Sequence, residues 1–134
     1  MELEQSNRFI FIAACFGAAA VAIGAFGAHG LKTLIAPERI AIFETGVDYH
    51  FYHTCALLAL GILFRQFPHR FLKWAGSCFI IGIVFFSGSL YLLATRSVLG
   101  IEGWWFLGPL TPIGGVFFIV GWVLLAFGIR KANL

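Results

Sequence analysis

Charged side chains are scarce in this sequence. Of its 134 residues, 9 are Lys or Arg and 6 are Asp or Glu, so only 11% are charged, whereas 60% are hydrophobic. A soluble domain carries about 25% charged residues and about 45–50% apolar ones. So few charges cannot coat a soluble globule of this size, and a disordered chain is far less hydrophobic. The composition excludes both classes and predicts a membrane protein.

Motifs of known enzymes and nucleic-acid-binding proteins are absent as well. The sequence has no P-loop, no dinucleotide fingerprint, no triad pattern and no basic stripe with interleaved aromatic residues. Cys15, Cys55 and Cys78 fall in three different apolar stretches and have no second Cys at metal-binding spacing. We therefore expect no catalytic residue, no metal, no cofactor and no nucleic-acid partner.

Four apolar stretches are long enough to cross a membrane, which takes about 20 residues of helix. Lipid cannot satisfy an exposed backbone, so the sequence predicts an all-α, four-helix integral membrane bundle in a single domain over residues 1–134. The predicted spans are 9–28, 45–64, 71–94 and 112–129.

Local signals refine two of the helix starts. Pro37 and Glu38 suit the first turn of a helix, which predicts that the second helix begins there at the outer interface. Thr111 and Pro112 predict the N-cap and first residue of the fourth helix.

The basic residues are distributed unequally between the two ends of such a bundle. The end with both termini carries Arg8, Arg65, Arg70, Lys73, Arg130 and Lys131, and the other end carries Lys32, Arg39 and Arg96. Short loops rich in Lys and Arg stay in the cytoplasm, so both termini are predicted to be inside. The basic loop from Arg65 to Lys73 is interpreted as this orientation signal rather than as a lipid site.

Small residues form stripes on two helices. In the first span they include Gly17, Gly24 and Ala28, and in the fourth span Gly114, Gly121 and Gly128 recur every seven residues. Small residues let transmembrane helices pack closely, so each stripe predicts a helix contact, within one chain or between chains. Because four helices make a thin bundle, the expected partners are membrane lipids, a second copy of the chain or another membrane protein.

Polar residues at membrane depth are the candidate site. His53 lies eleven residues before Phe64, or about 16 Å along a helix, near the middle of the bilayer. Thr45, Tyr49 and His53 form one column by their spacing of four, and Ser87 lies at a similar depth on the third span.

Two interpretations of this column stay open. His53 is a neutral imidazole hydrogen-bonded across helices, or it forms the floor of an outward-opening site for a small solute, an ion or a headgroup. The residues predicted to line such a site are His29, Thr45, Tyr49, His53, Ser87 and Tyr91. A metal or haem is not favoured, because His50 and His53 lie about 60° apart on a helix.

Several motifs resemble a known family. They are Gly24-Ala25-Phe26-Gly27-Ala28-His29, Thr45-Gly46 with Tyr49 and His53, Phe86-Ser87-Gly88-Ser89-Leu90-Tyr91, Thr111-Pro112-Ile113-Gly114-Gly115, and Gly121-Trp122. Together they resemble the YgdD/YwdK family of small bacterial inner-membrane proteins, a family of unknown function.

The resemblance implies four spans, a bacterial inner membrane and no established activity. It carries over His29, Thr45, Tyr49, His53, Ser87, Tyr91 and Thr111 as family-pattern positions. His50 stands where relatives more often have Gln, which favours His53 as the site residue.

The sequence therefore favours a non-catalytic membrane module that packs with itself, with lipids or with another membrane protein. The alternative is a minimal transporter, channel or small-ligand binding protein with its polar site at His53 and Ser87.

Overall fold

Helices form all of the regular structure in the computed structural model, which describes residues 1–131. They are α1 (Glu2–His29), α2 (Pro37–Gln66), α3 (Arg70–Gly82), α4 (Gly88–Leu99) and α5 (Leu107–Lys131). A π-helical turn, Ile83–Ser87, joins α3 to α4, so the two form one continuous third span. Four helical stretches are long and apolar enough to cross a membrane, which confirms the predicted all-α, four-span fold. Residues 132–134 of the predicted domain lie outside the described range.

The second helix begins where the sequence predicts. The N-cap of α2 is Ala36, whose backbone is extended, and Pro37 is the first helical residue. The 30 residues of α2 are about 45 Å long at 1.5 Å per residue. That length exceeds the hydrocarbon core of about 30 Å, so α2 reaches into the headgroup region.

The predicted start of the fourth helix is wrong. α5 begins at Leu107, and Pro112 lies inside it. Pro109 is the third residue of α5, and a backbone N–H at that position would have no acceptor within the helix. Proline therefore loses no hydrogen bond there and does not stop the helix. Pro112 forgoes only one bond, to the carbonyl of Gly108, and Thr111 lies on the second turn instead of at the N-cap.

The helices pack in chain order, with α1 along α2, α2 along the third span, and the third span along α5. Two apolar clusters form the core. The cluster nearer the termini is centred on Phe9, Leu57, Leu60 and Phe79. The cluster near the opposite end of the bundle is centred on Leu31, Ile35, Phe43 and Ala94.

Glycines allow α5 to approach the third span closely. The predicted packing glycines of α5 all face it: Gly114 lies against the backbone of Phe86, Gly121 against the ring of Phe79, and Gly128 against Leu72. A methyl group at Gly114 would lie 2.8 Å from the Phe86 Cα, so only glycine permits this approach.

Two local features shape the end of the bundle opposite the termini. Arg39, near the start of α2, donates from Nη1 to the carbonyl of Leu93 at 3.1 Å. Gly100 ends α4 in the left-handed conformation, with φ of 67°, a conformation that glycine adopts without strain.

Candidate functional site

The imidazole of His53 is buried and has both nitrogens engaged. Its side chain is 5% exposed. Nδ1 lies 2.8 Å from the carbonyl oxygen of Tyr49, and Nε2 lies 3.2 Å from the indole nitrogen of Trp122. A carbonyl can only accept and an indole N–H can only donate, so Nδ1 carries the proton and Nε2 accepts. His53 is therefore an uncharged residue that links α2 to α5.

An aromatic environment holds this imidazole in place. Phe118 stacks on it with 3.4 Å between ring centroids and 8° between ring planes. Phe79 and Trp122 flank the ring at 5.7 and 6.1 Å. Such aromatic surroundings are typical of a hydrogen-bonded core histidine.

Ser87 does not form the floor of a site together with His53. Its side chain is 0% exposed, and its Oγ has no hydrogen-bond partner in the described part of the chain. The sequence placed Ser87 and His53 at the same depth, but depth does not fix the direction in which each side chain points. His53 turns towards α5 and pairs with Trp122 instead.

A second polar contact forms around His50, which the sequence analysis ranked below His53. His50 is 4% exposed, and its Nδ1 lies 2.9 Å from the hydroxyl of Tyr91. Phe16 packs edge-on against the same imidazole at 5.6 Å. Gly46, one turn earlier on α2, lies against the Tyr91 ring, so the absence of a side chain there makes room for the tyrosine.

A third polar contact forms beside the π turn. The Oγ of Ser89 donates to the carbonyl of Phe86 at 3.0 Å and lies 2.6 Å from the Oγ1 of Thr111 on α5. A π turn disturbs the regular backbone ladder of a helix. Ser89 therefore satisfies a carbonyl of the turn and at the same time bonds to α5.

The other predicted lining residues have different surroundings. Thr45 is exposed and donates to Ala41 on its own helix at 3.0 Å. Tyr49 is 41% exposed, but its ring packs 4.7 Å from that of Phe86 and 5.9 Å from the imidazole of His53. His29 is exposed at the end of α1. The structure therefore brings Tyr49 against His53 but does not assemble all six predicted lining residues into one site, because Thr45 and His29 are exposed and Tyr91 pairs with His50.

A large open cavity lies on the surface of the bundle between α1 and α2. This α1–α2 groove has a volume of about 640 Å³. It is lined by Ala13, Ala14, Gly17, Ala18, Val21, Ala22, Phe51, Thr54, Cys55 and Leu58. A second cavity of about 300 Å³ shares Val21 and Phe51 with it and continues towards the end of the bundle opposite the termini. His53 and Ser87 line neither cavity.

The small residues of α1 divide between two surfaces. Gly17 and Gly24 face α2, where an added methyl group would lie 3.6 Å from Thr54 and 3.2 Å from Val47. Ala28 is exposed, so its predicted helix contact is not made within the chain. Ala14, Ala18 and Ala22 are exposed as well and line the α1–α2 groove.

Sequence reasoning missed the partner of His53. Trp122 belongs to the Gly121-Trp122 motif, but it is not one of the predicted lining residues. A tryptophan inside a span has an indole N–H that needs an acceptor, and an imidazole at similar depth is one of the few side chains that can supply it. A tryptophan and a histidine at similar depth in two spans therefore indicate a hydrogen bond between them.

The described residues offer little for chemistry on a bound group. No set of three His, Cys, Asp or Glu side chains within residues 1–131 is arranged to hold a metal ion. The three cysteines are free thiols in the helices, and Cys15 and Cys55 are exposed on the bundle surface.

Comparison with known proteins finds matches over most of the chain. Residues 23–115 match the sequence model of a family described as protein of unknown function (DUF423). A UPF0382 membrane protein of Staphylococcus saprophyticus is 42% identical over 123 residues, which cover 92% of this chain and 97% of the relative. YwdK of Bacillus subtilis is 38% identical, covering 92% of this chain and 96% of the relative.

The inner membrane protein YgdD of Escherichia coli is 37% identical, covering 92% of this chain and 91% of the relative. No solved structure matches. These relatives confirm the resemblance on which the sequence analysis drew, and their names give a membrane location without an activity. The chain belongs to the DUF423 family of membrane proteins of unknown function.

Proposed function

We propose that this protein is a non-catalytic membrane module that associates with a second copy of itself through the α1–α2 groove. The observation that supports this most directly is the exposed series Ala14, Ala18 and Ala22, which lines the groove at a spacing of four residues. Such small-xxx-small series let two transmembrane helices approach closely.

The packing of α1 leaves this surface available. α1 packs mainly along α2 and makes little contact with α5, so one side of α1 has no neighbouring helix within residues 1–131. Lipid supplies no hydrophobic force between helices, and association depends on close van der Waals contact. A groove floored by alanine and glycine offers more such contact to a helix than to a flexible acyl chain.

The polar residues support a structural role rather than transport. His53 has both nitrogens engaged, Ser87 is fully buried, and Thr45 bonds to its own helix. These side chains do not form a continuous polar path from the outer surface to the middle of the bundle. No observation therefore favours the transporter alternative.

We further infer that the protein lies in a bacterial inner membrane with both termini in the cytoplasm. The relative YgdD is named an inner membrane protein. Six of the nine basic residues lie at the end of the bundle that carries the termini, and such asymmetry orients membrane proteins.

Replacing Ala18 by Leu tests the groove as an interface. The larger side chain fills the space that a partner helix would occupy, so we expect Ala18→Leu to lower the association constant at least tenfold. The measurement is the dimer fraction in lipid bilayers as a function of the protein-to-lipid ratio, by single-molecule photobleaching.

Ala126→Leu is the matched control. Ala126 is exposed on α5 and lies outside the groove, so the same change in volume there should leave the dimer fraction unchanged. A wild-type chain that stays monomeric at every ratio, or equal effects of the two substitutions, would refute self-association through this groove.

A further inference from the structure

A separate cavity lies at the end of the bundle where the termini and the α2–α3 connection meet. It has a volume of about 260 Å³ and is lined by Met1, Glu2, Gln5, Phe64, Pro68, His69, Arg70 and Lys73. Phe64 is buried below it, whereas Arg70 and Lys73 are exposed at its rim. The cavity therefore has an apolar base and a basic rim.

The positive charge at this cavity is concentrated by the fold. Arg70 lies 5.3 Å from the centre of the Phe71 ring, and Lys131, from the end of α5, lies 5.6 Å from the same ring. Lys73 lines the cavity itself, and Glu2 is the one acidic side chain among its lining residues. Two cationic side chains of α3, Arg70 and Lys73, thus line the cavity together with a single carboxylate.

Hydrogen-bond donors accompany these charges. The Nδ1 of His69 accepts the backbone N–H of Phe71 at 3.2 Å, so a neutral His69 carries its proton on Nε2 and has a donor left to offer. His69 is also the N-cap of α3, and the positive end of that helix begins at the cavity. A phosphate could accept from these groups as well as pair with the cations.

The surroundings match the interface of a bilayer. Trp74 is about half exposed one turn after Arg70, whose guanidinium lies 5.9 Å from the centre of the indole ring. Aromatic residues of this kind sit at headgroup level, and basic side chains beside them meet the lipid phosphates. The cavity therefore lies where a phospholipid presents its phosphate, with acyl chains running along the bundle below.

We propose that this cavity binds the phosphate headgroup of an anionic phospholipid. Arg70 and Lys73 pair with the phosphate oxygens, His69 donates from Nε2, and Glu2 opposes binding. The basic loop, interpreted from sequence as an orientation signal, is then also a lipid site. The inference is independent of the proposed self-association, because the cavity and the α1–α2 groove share no residue.

Native mass spectrometry of the full chain, titrated with phosphatidylglycerol or phosphatidylcholine of the same acyl length, tests the proposal. We expect tighter binding of phosphatidylglycerol to the wild type. Arg70→Gln and Lys73→Gln should each weaken that binding about fivefold, and the double variant about 25-fold. Glu2→Gln should strengthen it.

Arg65→Gln distinguishes a specific lipid site from general electrostatic attraction between the basic end of the bundle and anionic lipids. Arg65 is exposed at the same end of the bundle but does not line the cavity, so its loss should leave the affinity unchanged. Wild-type affinity in the Arg70→Gln, Lys73→Gln double variant, or an equal loss in Arg65→Gln, would overturn the proposal. Displacement of the lipid by millimolar inorganic phosphate would overturn it too, because it would indicate a site for free anions.

Discussion

The hydroxyl groups of Ser87 and Ser89 lie two residues apart in contrasting environments. The Oγ of Ser87 is buried and has no hydrogen-bond partner among the described residues, whereas the Oγ of Ser89 bonds to Phe86 and to Thr111. Removing an unsatisfied buried hydroxyl costs little or stabilises, whereas removing a bonded one leaves its partners unpaired. We therefore expect Ser87→Ala to leave the free energy of unfolding unchanged or higher, and Ser89→Ala to lower it by about 1 kcal/mol.

Unfolding in mixed micelles by titration with SDS measures both variants. Ser89→Ala is the internal control, because it removes the same hydroxyl group at nearly the same depth. A loss of stability in Ser87→Ala as large as in Ser89→Ala would show that Ser87 has a partner, such as a bound water or ligand, and would revive the interpretation of Ser87 as a site residue.

The depth of the polar residues could be predicted from the sequence, but their partners could not. The count of residues along α2 placed His53 inside the span, and the structure buries it. The rise per residue gives height along a helix and carries no information on how neighbouring helices are rotated about their axes. That rotation directs His53 to Trp122 and His50 to Tyr91. It gives the Ser87 hydroxyl no hydrogen-bond partner among the described residues.

At the scale of the helices, the π turn determines how closely α5 approaches the third span. Gly114 lies directly against the backbone of Phe86 in that turn, and a backbone cannot move aside as a side chain can. Gly114→Ala should therefore push α5 away and lower the free energy of unfolding by about 1–3 kcal/mol, the usual cost of overpacking.

Gly115→Ala is the matched control for this prediction. An added methyl group at Gly115 would lie 3.8 Å from the Phe86 ring, an ordinary contact, so that variant should be as stable as the wild type or slightly more stable. Both variants are compared by the same SDS titration. Equal stabilities would contradict the close approach of α5 to the π turn.

Helix existence was predictable from the sequence, and helix boundaries were predictable only where the local signal was unambiguous. Four long apolar stretches predict four spanning helices, and the structure has them. Pro37 predicts the start of α2, and the helix begins there, directly after the extended residue Ala36. Pro112 gives the same signal in sequence, but it lies on the second turn of α5, where tertiary packing tolerates the lost bond. The π turn has no sequence signal of its own, and its contact with Gly114 joins residues that are distant in the sequence.

At the scale of the whole molecule, the charge asymmetry between the two ends predicts its orientation. An even number of spans places both termini at one end, and that end has six basic residues against three at the other. The basic end should remain in the cytoplasm, because short loops rich in Lys and Arg resist translocation. The loop between α4 and α5 should then face the periplasm.

Cysteine labelling in intact cells tests this orientation. In a background with the three native cysteines replaced by Ala, Gly103→Cys and Gln66→Cys place one thiol at each end. Both positions are exposed, and a side chain at Gly103 meets nothing within 4 Å. A maleimide that cannot cross the inner membrane should label Gly103→Cys in whole cells, but should label Gln66→Cys only after lysis. The reverse pattern would show that both termini are periplasmic, and the lipid cavity would then lie in the outer leaflet.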